Sequence, residues 1–533
     1  MARHAQAAHA ALRAGDIRRA AEFAEQAVSA GAQDPQLLTL AAYRNLDAGK
    51  DEPALHLAER ACQLAPGNLD ALNAAASALL KIGQPEQAAS YFERALAITS
   101  DDVDLLVNAA GVFEELRRTQ RACELLERAF HLDSRRADAA ARLAFISTNH
   151  GDMEKGRAFG LSALKLDATQ AFAAFAVALA DIEQGHCKEA IARMRALMSV
   201  PRIGRIVCAL AENIIGDALD GLGSYDEAFA AYTRAGEMLR SLYAPRAGTE
   251  VETALARSRR IAAYVSHAPS ASWISDKGKS PVRSHVFLLG FPRSGTTLLT
   301  RMLDAHPDIT ALDEPRTLSH CSDFLASDAG LDKLAALSDE ERLSCSEVYW
   351  RRAAEAGWTG DANVLIDKIP LHSEVVCLIA KLFPDAKIVL ALRDPRDVVF
   401  SCFRRRFAIT SQTYELLTLR GAAAYYDATM QLFGIYRSKI ALPVHEVRLE
   451  DMATDFAAHM RELCRFLDID PNASFAGYAE RVRNSDMVTP NAAQISKGIR
   501  SESLEHWRRY RAQLEPVMPL LAPWTDRFGY SLI

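Results

Sequence analysis

At 533 residues the chain exceeds what one hydrophobic core usually serves, so two or more domains are expected. An apolar fraction of 49% against 24% charged residues argues against wholesale disorder, and a net charge of −6 provides no electrostatic footprint for nucleic acid. Nine scattered cysteines without a C-x-x-C pair exclude a spacing-defined disulfide framework or zinc site and fit a reducing compartment.

The N-terminal Met1-Ala-Arg-His-Ala-Gln6 leads directly into an amphipathic helical pattern without a signal-type apolar stretch, and no run is long enough to span a membrane. A cytoplasmic protein is the corresponding expectation. Gly15, Gly49, Gly83, Arg117, Gly151 and Gly185 then follow one another at 34-residue intervals, and Gly223 closes a slightly longer repeat. Five residues after each stands a small residue: Ala20, Ala54, Ala88, Ala122, Gly156, Ala190 and Ala228. Twelve residues after each stands Ala27, Ala61, Ala95, Ala129, Ala163, Leu197 or Ala235, Leu197 being the exception to alanine. A 34-residue period is that of tetratricopeptide repeats, with two helices per repeat, glycine at the turn and alanine where helices cross closely. About seven repeats over 1–240 predict an α-solenoid whose concave face suits a protein or peptide ligand, with plain scaffolding or homodimer formation as other uses.

Residues 241–282 are expected to hold a capping helix, Ala247–Tyr264, and a polar linker, Ser266–Trp273 and Ser275–Pro281. From 283 to 533 the pattern changes. His285–Gly290, Val364–Asp367, Lys387–Leu392 and Val444–Leu449 are short apolar runs of buried-strand type. Helical patterns separate them at Thr296–Ala305, Ser373–Phe383, Pro395–Arg405, Glu415–Lys439 and Asp451–Leu467. Alternating strands and helices predict an α/β domain with a mainly parallel sheet, its ligands lying beyond the carboxyl ends of the strands.

The first strand runs into Gly290-Phe-Pro-Arg-Ser-Gly-Thr-Thr297 and then a helix, the arrangement of a phosphate loop (P-loop). Nucleotide triphosphatases carry G-x-x-x-x-G-K-[ST] there; here Thr296 stands in place of the lysine, which argues against a nucleotide kinase or triphosphatase. Positive charge enters the loop at Arg293 instead.

The stretch Phe291–Asp308 closely resembles the 5'-phosphosulfate loop and following helix of the sulfotransferase superfamily, nearest the tyrosylprotein sulfotransferases. The resemblance covers about residues 283–530, and a repeat array fused to such a domain resembles a bacterial architecture. It implies the sulfate donor PAPS (3'-phosphoadenosine 5'-phosphosulfate), the product PAP, and Arg293, Ser294, Gly295, Thr296 and Thr297 as donor contacts. In the family an arginine, and a serine eight residues later, bind the donor's 3'-phosphate; Arg393 and Ser401 in Leu392-Arg-Asp-Pro-Arg-Asp-Val-Val-Phe-Ser401 have that spacing. Physically, Arg393 leaves a strand end and Ser401 sits about two turns into the next helix, so both can face one anion. Arg405 matches a further donor-contacting position. Lys497 and Arg500, in Gln494-Ile-Ser-Lys-Gly-Ile-Arg500, resemble a late donor-binding loop, whose serine of the transition state is assigned to Ser496. The family's lysine before the following tryptophan appears here as His506.

Sulfuryl transfer to a hydroxyl needs a base, stabilisation of the moving group and help for the leaving oxygen. Glu314 has the offset from Arg293 of the family's catalytic glutamate, although Pro315 follows it; Arg316 falls on an acceptor-binding position. Asp313 and His372 are rival bases. Lys368, in Ile366-Asp-Lys-Ile-Pro370, resembles the lysine of an N-K-x-P motif, with Asp367 in place of Asn. No His/Cys cluster has metal-ligand spacing, and no metal is expected. The function implied is PAPS-dependent sulfation of a hydroxyl, foremost a protein or peptide tyrosine; a glycan, lipid or small phenol acceptor, or a non-catalytic nucleotide-binding adaptor, are the alternatives.

Overall fold

The computed structural model describes residues 1–116, 118–247, 252–273, 275, 280–369, 373–471 and 504–530. These fall into two compact units that part between Gln184 and Gly185.

The first unit is eleven helices, α1 (Ala2–Arg13) to α11 (Ala171–Glu183), each packed on its neighbours in sequence. Asp16, Asp34, Asn68, Asp102 and Asp152 accept the N–H three residues on and so start five of them. The repeat glycines 15, 49, 83, 151 and 185 all adopt positive φ, between 70° and 88°; Arg117 lies outside the described residues. The alanine columns have a packing cause: Ala20, Ala54, Ala88, Ala122, Ala27, Ala61, Ala95, Ala129 and Ala163 are all 0% exposed. Where the column carries Gly156, a Cβ would lie 2.2 Å from Thr148 Oγ1.

The second unit opens with three more helices of the repeat pattern, α12 (Cys187–Met198), α13 (Arg205–Gly221) and α14 (Tyr225–Ala247), followed by α15 (Ala254–His267). Five parallel strands follow: β1 (Ser284–Gly290), β2 (Ile309–Asp313), β3 (Val364–Lys368), β4 (Lys387–Leu392) and β5 (Val444–Arg448). Their order is β2-β3-β1-β4-β5. The helices between them include α16 (Thr296–Asp304), α17 (Asp328–Ala335), α18 (Asp339–Glu355), α19 (Val376–Leu382), α20 (Pro395–Phe403), α21 (Ser411–Glu415) and α22 (Leu419–Lys439). Register sets Leu288 beside Lys368 and Lys368 beside Asp313, while Gly290 stands beside Ala391. The carboxyl ends of four strands therefore meet at one edge of the sheet, and the order reverses about β1, as at a ligand-binding switch point.

Several elements differ from the sequence pattern. Strand β2 was not expected; it is five residues long and only partly buried. The span 317–360 reads as loop in sequence, yet it holds α17 and α18, the latter started by a Ser338–Glu341 capping box. The helix expected over Glu415–Lys439 begins four residues later, at Leu419, because Thr418 caps it; Glu415 ends the separate short helix α21. Helix α15 begins at Ala254, capped by Thr253, and packs on α17, α21 and α22 of the α/β domain. Its Arg257 and Ser258 both reach Glu374 at 2.7 Å, so this helix, expected as a solenoid cap, is bound to the α/β domain. Trp273, within the expected polar linker, is 3% exposed.

Replacing Gly156 by alanine must displace Thr148, which already bonds to Ala144 O at 2.9 Å. Urea unfolding of Gly156→Ala is expected to show a loss of about 1–3 kcal/mol.

Candidate active site

Strand β1 ends in Gly290, and the chain turns through 291–295 before α16. Gly295 caps that helix at φ 90°, a conformation glycine adopts without a Cβ penalty. The first N–H groups of α16 have no intrahelical partner and form the donor end of the loop. Ser294 and Thr296 are buried at 4% and 5% exposure. Arg293 and Glu314 are two of the five non-glycine residues with positive φ among the described residues, at 74° and 55°. Strain of this kind collects at functional sites.

At the neighbouring strand ends, Lys368 is 0% exposed and its ammonium is the hub of the site. It donates to Thr297 Oγ1 at 3.3 Å, stands 3.1 Å from Glu314 Oε1, and pairs with Asp313. The two rival carboxylates differ in their commitments. Asp313 gives one oxygen to Lys368 and the other to Arg301 at 3.0 Å. The Glu314 side chain is 41% exposed and pairs with Lys368 alone among the described residues. Its backbone N–H is fixed on Lys368 O at 3.2 Å. His372 lies outside the described residues. The Arg316 side chain is exposed, while its carbonyl is held by Arg352 at 3.1 Å.

Arginines gather on the other side of the loop. Arg293 Nε donates to Ser401 Oγ at 2.9 Å, and Arg393 Nη1 to Arg293 O at 3.4 Å. Burial, then the like charges of Arg405 and Arg393, push Arg293 well below the usual arginine range. Burial and Arg404 lower Arg405 to about 10. Such a cluster is stabilised by an anion placed among its guanidinium groups. Ser496, Lys497 and Arg500 lie outside the described residues. His506 turns to Asp220 of α13 at 3.1 Å and stacks on Phe400.

Pattern reading missed the groups that hold these elements. Asp397 accepts the backbone N–H of Glu505 at 2.7 Å and of Trp507 at 2.9 Å, which ties the C-terminal segment to α20. Arg396 lies 3.7 Å from the Trp507 ring and is locked on Asp394 at 2.9 and 2.7 Å. The D-P-R-D run was the available signal for both. Under Lys368, Asp367 is fully buried and accepts from Thr317 at 2.7 Å and Tyr349 at 2.9 Å. Burial lowers His285 to about 3, and its Nε2 shares a hydrogen bond with the Tyr349 hydroxyl at 2.7 Å. Folding also brings together His320, Cys321 and Cys345, a group that sequence spacing did not reveal. Both ring nitrogens of His320 face backbone carbonyls, Thr317 O at 3.1 Å and Cys345 O at 2.9 Å. While those contacts hold, no ring lone pair is directed at a metal.

A family model described as "Sulfotransferase family" matches residues 285–472, the span that holds β1 to β5 and the loop. Residues 285–472 are thus similar to the sulfotransferase family. A tetratricopeptide repeat model matches residues 69–102. The sulfotransferase domain is similar to Protein-tyrosine sulfotransferase 1 of Danio rerio, 28% identical over 46% of this chain and 72% of that protein. It is likewise similar to Protein-tyrosine sulfotransferase A of Caenorhabditis elegans, 26% identical over 48% of this chain and 70% of that one. The solved structure of pilF from Pseudomonas aeruginosa overlaps 39% of this chain and 91% of its own, at 19% identity and a TM-score of 0.34. Among the described residues no helix is long and apolar enough to cross a membrane.

Burial raises the Asp367 carboxyl from 3.8 to about 7. In the window between those values the folded chain keeps a proton that the unfolded chain has lost, so this group's stability falls as pH rises. Asp367→Asn keeps an acceptor oxygen and removes the titration. Denaturation from pH 5 to 8 is expected to show a gain for the variant that grows with pH, to on the order of 1–3 kcal/mol.

Proposed function

We propose that the protein transfers a sulfuryl group from PAPS to a hydroxyl acceptor, foremost a tyrosine of a protein or peptide. The observation that carries this reading is Lys368 Nζ, buried between Thr297 Oγ1 of the loop at 3.3 Å and Glu314 Oε1 at 3.1 Å. An anion-binding loop, a cation and an open carboxylate thus converge on one point. The residues suit a nucleotide with phosphate at both 5' and 3' positions. The loop donors and Arg293 serve the 5' side; Arg393, Ser401 and Arg405 serve the 3' side, where Arg405 Nε is buried without a hydrogen-bond partner among the described residues. Lys497, Arg500 and Ser496 complete the donor site in this reading. PAPS supplies the activated sulfuryl group.

The chain's own groups then have distinct tasks. Glu314 accepts the proton of the attacking hydroxyl, its side chain being exposed enough to meet an acceptor. Lys368 places positive charge where the leaving phosphate oxygen develops negative charge, and Asp313 keeps that ammonium oriented. Arg316, exposed beyond Glu314, holds the acceptor. The need for a metal falls away because arginine and lysine can neutralise the phosphosulfate. Tetratricopeptide repeats typically bind proteins, and the array over 1–240 is proposed to hold the acceptor or a partner before the transferring domain of 283–533. The tyrosine assignment is supported by the relatives, two of which are named protein-tyrosine sulfotransferases.

Labelled PAPS and tyrosine-containing peptides test the reading. Glu314→Gln is expected to lower kcat by about 10²–10⁴-fold, as for loss of a general base. Lys368→Met is expected to cost about 10²–10³-fold, as for loss of a transition-state charge partner. Transfer unchanged in both variants would refute the mechanism; label recovered on glycan or lipid instead of tyrosine would refute the acceptor.

A further inference from the structure

The second unit contains a contact that a sulfotransferase domain by itself would lack, because α13 and α14 of the repeat pattern pack within it. Two carboxylates on α13 do most of the joining. Asp217 takes the Tyr232 hydroxyl at 2.9 Å and Arg406 Nη2 at 3.1 Å, with Arg404 Nη1 at 3.8 Å. Asp220 takes His506 at 3.1 Å and the Tyr510 hydroxyl at 2.5 Å, with Arg404 Nη1 at 3.8 Å. Both carboxylates are mostly buried, at 15% and 13% exposure. Aromatic contacts surround them: Phe229 on Phe403 at 5.4 Å and Phe400 on Tyr510 at 4.1 Å.

The arginines so held flank Arg405. Helix α20 ends at Phe403; the N–H of Arg404 still bonds to Phe400 O at 3.1 Å and that of Arg405 to Cys402 O at 3.3 Å, so the backbone is held as far as Arg405 while the side chains need partners of their own. Arg404 and Arg406 pair with carboxylates of α13, whereas Arg405 forms no ion pair among the described residues; its Nε, like Arg404 Nε and Arg406 Nη1, is buried without a hydrogen-bond partner among them. Arg405 and Arg406 also line a cavity of about 190 Å³ whose other wall is α13 and α14, including Tyr232 and Leu239. The approach is close at one point: a Cβ on Gly236 of α14 would lie 2.1 Å from Leu417 O.

We infer that the last repeat is a working part of the donor site: Asp217 and Asp220 of α13 are positioning residues that hold Arg404 and Arg406 so that Arg405 faces the donor's 3'-phosphate. This rests on the donor reading above. It gives the repeat array a route to the reaction, since displacement of α13 would disturb a phosphate contact.

Charge and position make opposite forecasts for Asp217→Ala. Removing a carboxylate raises the positive potential, and if that were its only role a phosphate would bind more tightly. Loss of positioning loosens the phosphate instead. Gly236→Ala wedges α14 away from Leu417 without any change of charge. The test is calorimetry of the full chain with PAP and with adenosine 5'-monophosphate, which lacks the 3'-phosphate. Both variants are expected to bind PAP about tenfold more weakly and the monophosphate within about twofold of wild type, as for one lost charge-assisted contact. Asp217→Asn, which keeps an oxygen for Arg406, is expected to recover most of the loss. Wild type that prefers PAP while Asp217→Ala or Gly236→Ala binds it as well or better overturns the inference alone. So does equal weakening toward both nucleotides, the mark of a merely structural role. Wild type with no preference for PAP overturns the donor reading and this inference with it.

Discussion

A buried ammonium dictates much of what surrounds the loop at 290–297. Lys368 ends a strand that is buried along its whole length, and its charge has no exposure to water. Leaving a charge so placed without partners costs several kcal/mol, so the surrounding chain has to bring negative and polar groups to it. Asp313 and Glu314 do so from the end of β2, and Thr297 from the start of α16. That one requirement joins three consecutive edges of the sheet. It also separates the two carboxylates: Asp313 is tied twice, and Glu314 is tied once and exposed.

The arginine side of the site follows the opposite logic. Arg293 and Arg405 are buried among like charges, and both are pushed down from the usual arginine range by burial first and by neighbouring guanidinium groups second. Arg404 escapes this: burial pulls it down, but Tyr232, Asp217 and Asp220 outweigh that and raise it. Adjacent arginines therefore differ in charge balance: the protein's acidic groups outweigh burial at Arg404 and not at Arg405. Within the second unit, α13 thus shares in the charge balance of the arginine run.

Legibility in the sequence tracked the length of the signal. The repeat columns were plain because a 34-residue period recurs over the first half, and each buried alanine occupies a helix crossing. The strands at 284–290, 364–368 and 387–392 were plain because parallel strands covered on both faces are continuous apolar runs. Strand β2 was not, because Ile309–Asp313 is a short, half-buried edge whose identity comes from pairing with β3. Helix α15 was read as belonging to the repeats because helical periodicity says which face is apolar and nothing about what covers it.

The sequence by itself determined the loop chemistry, the arginine–serine spacing and the repeat period, since each depends on residues near one another in the chain. It also nominated Glu314 and Lys368 individually. Only the tertiary structure decided that the two meet, because they lie on strands adjacent in the sheet and distant in sequence. The difference in setting between Asp313 and Glu314 is likewise tertiary, since Arg301 pairs with the second oxygen of Asp313. The packing of α13 on the arginine run was decided the same way: contacts across nearly two hundred residues leave no local trace in the chain.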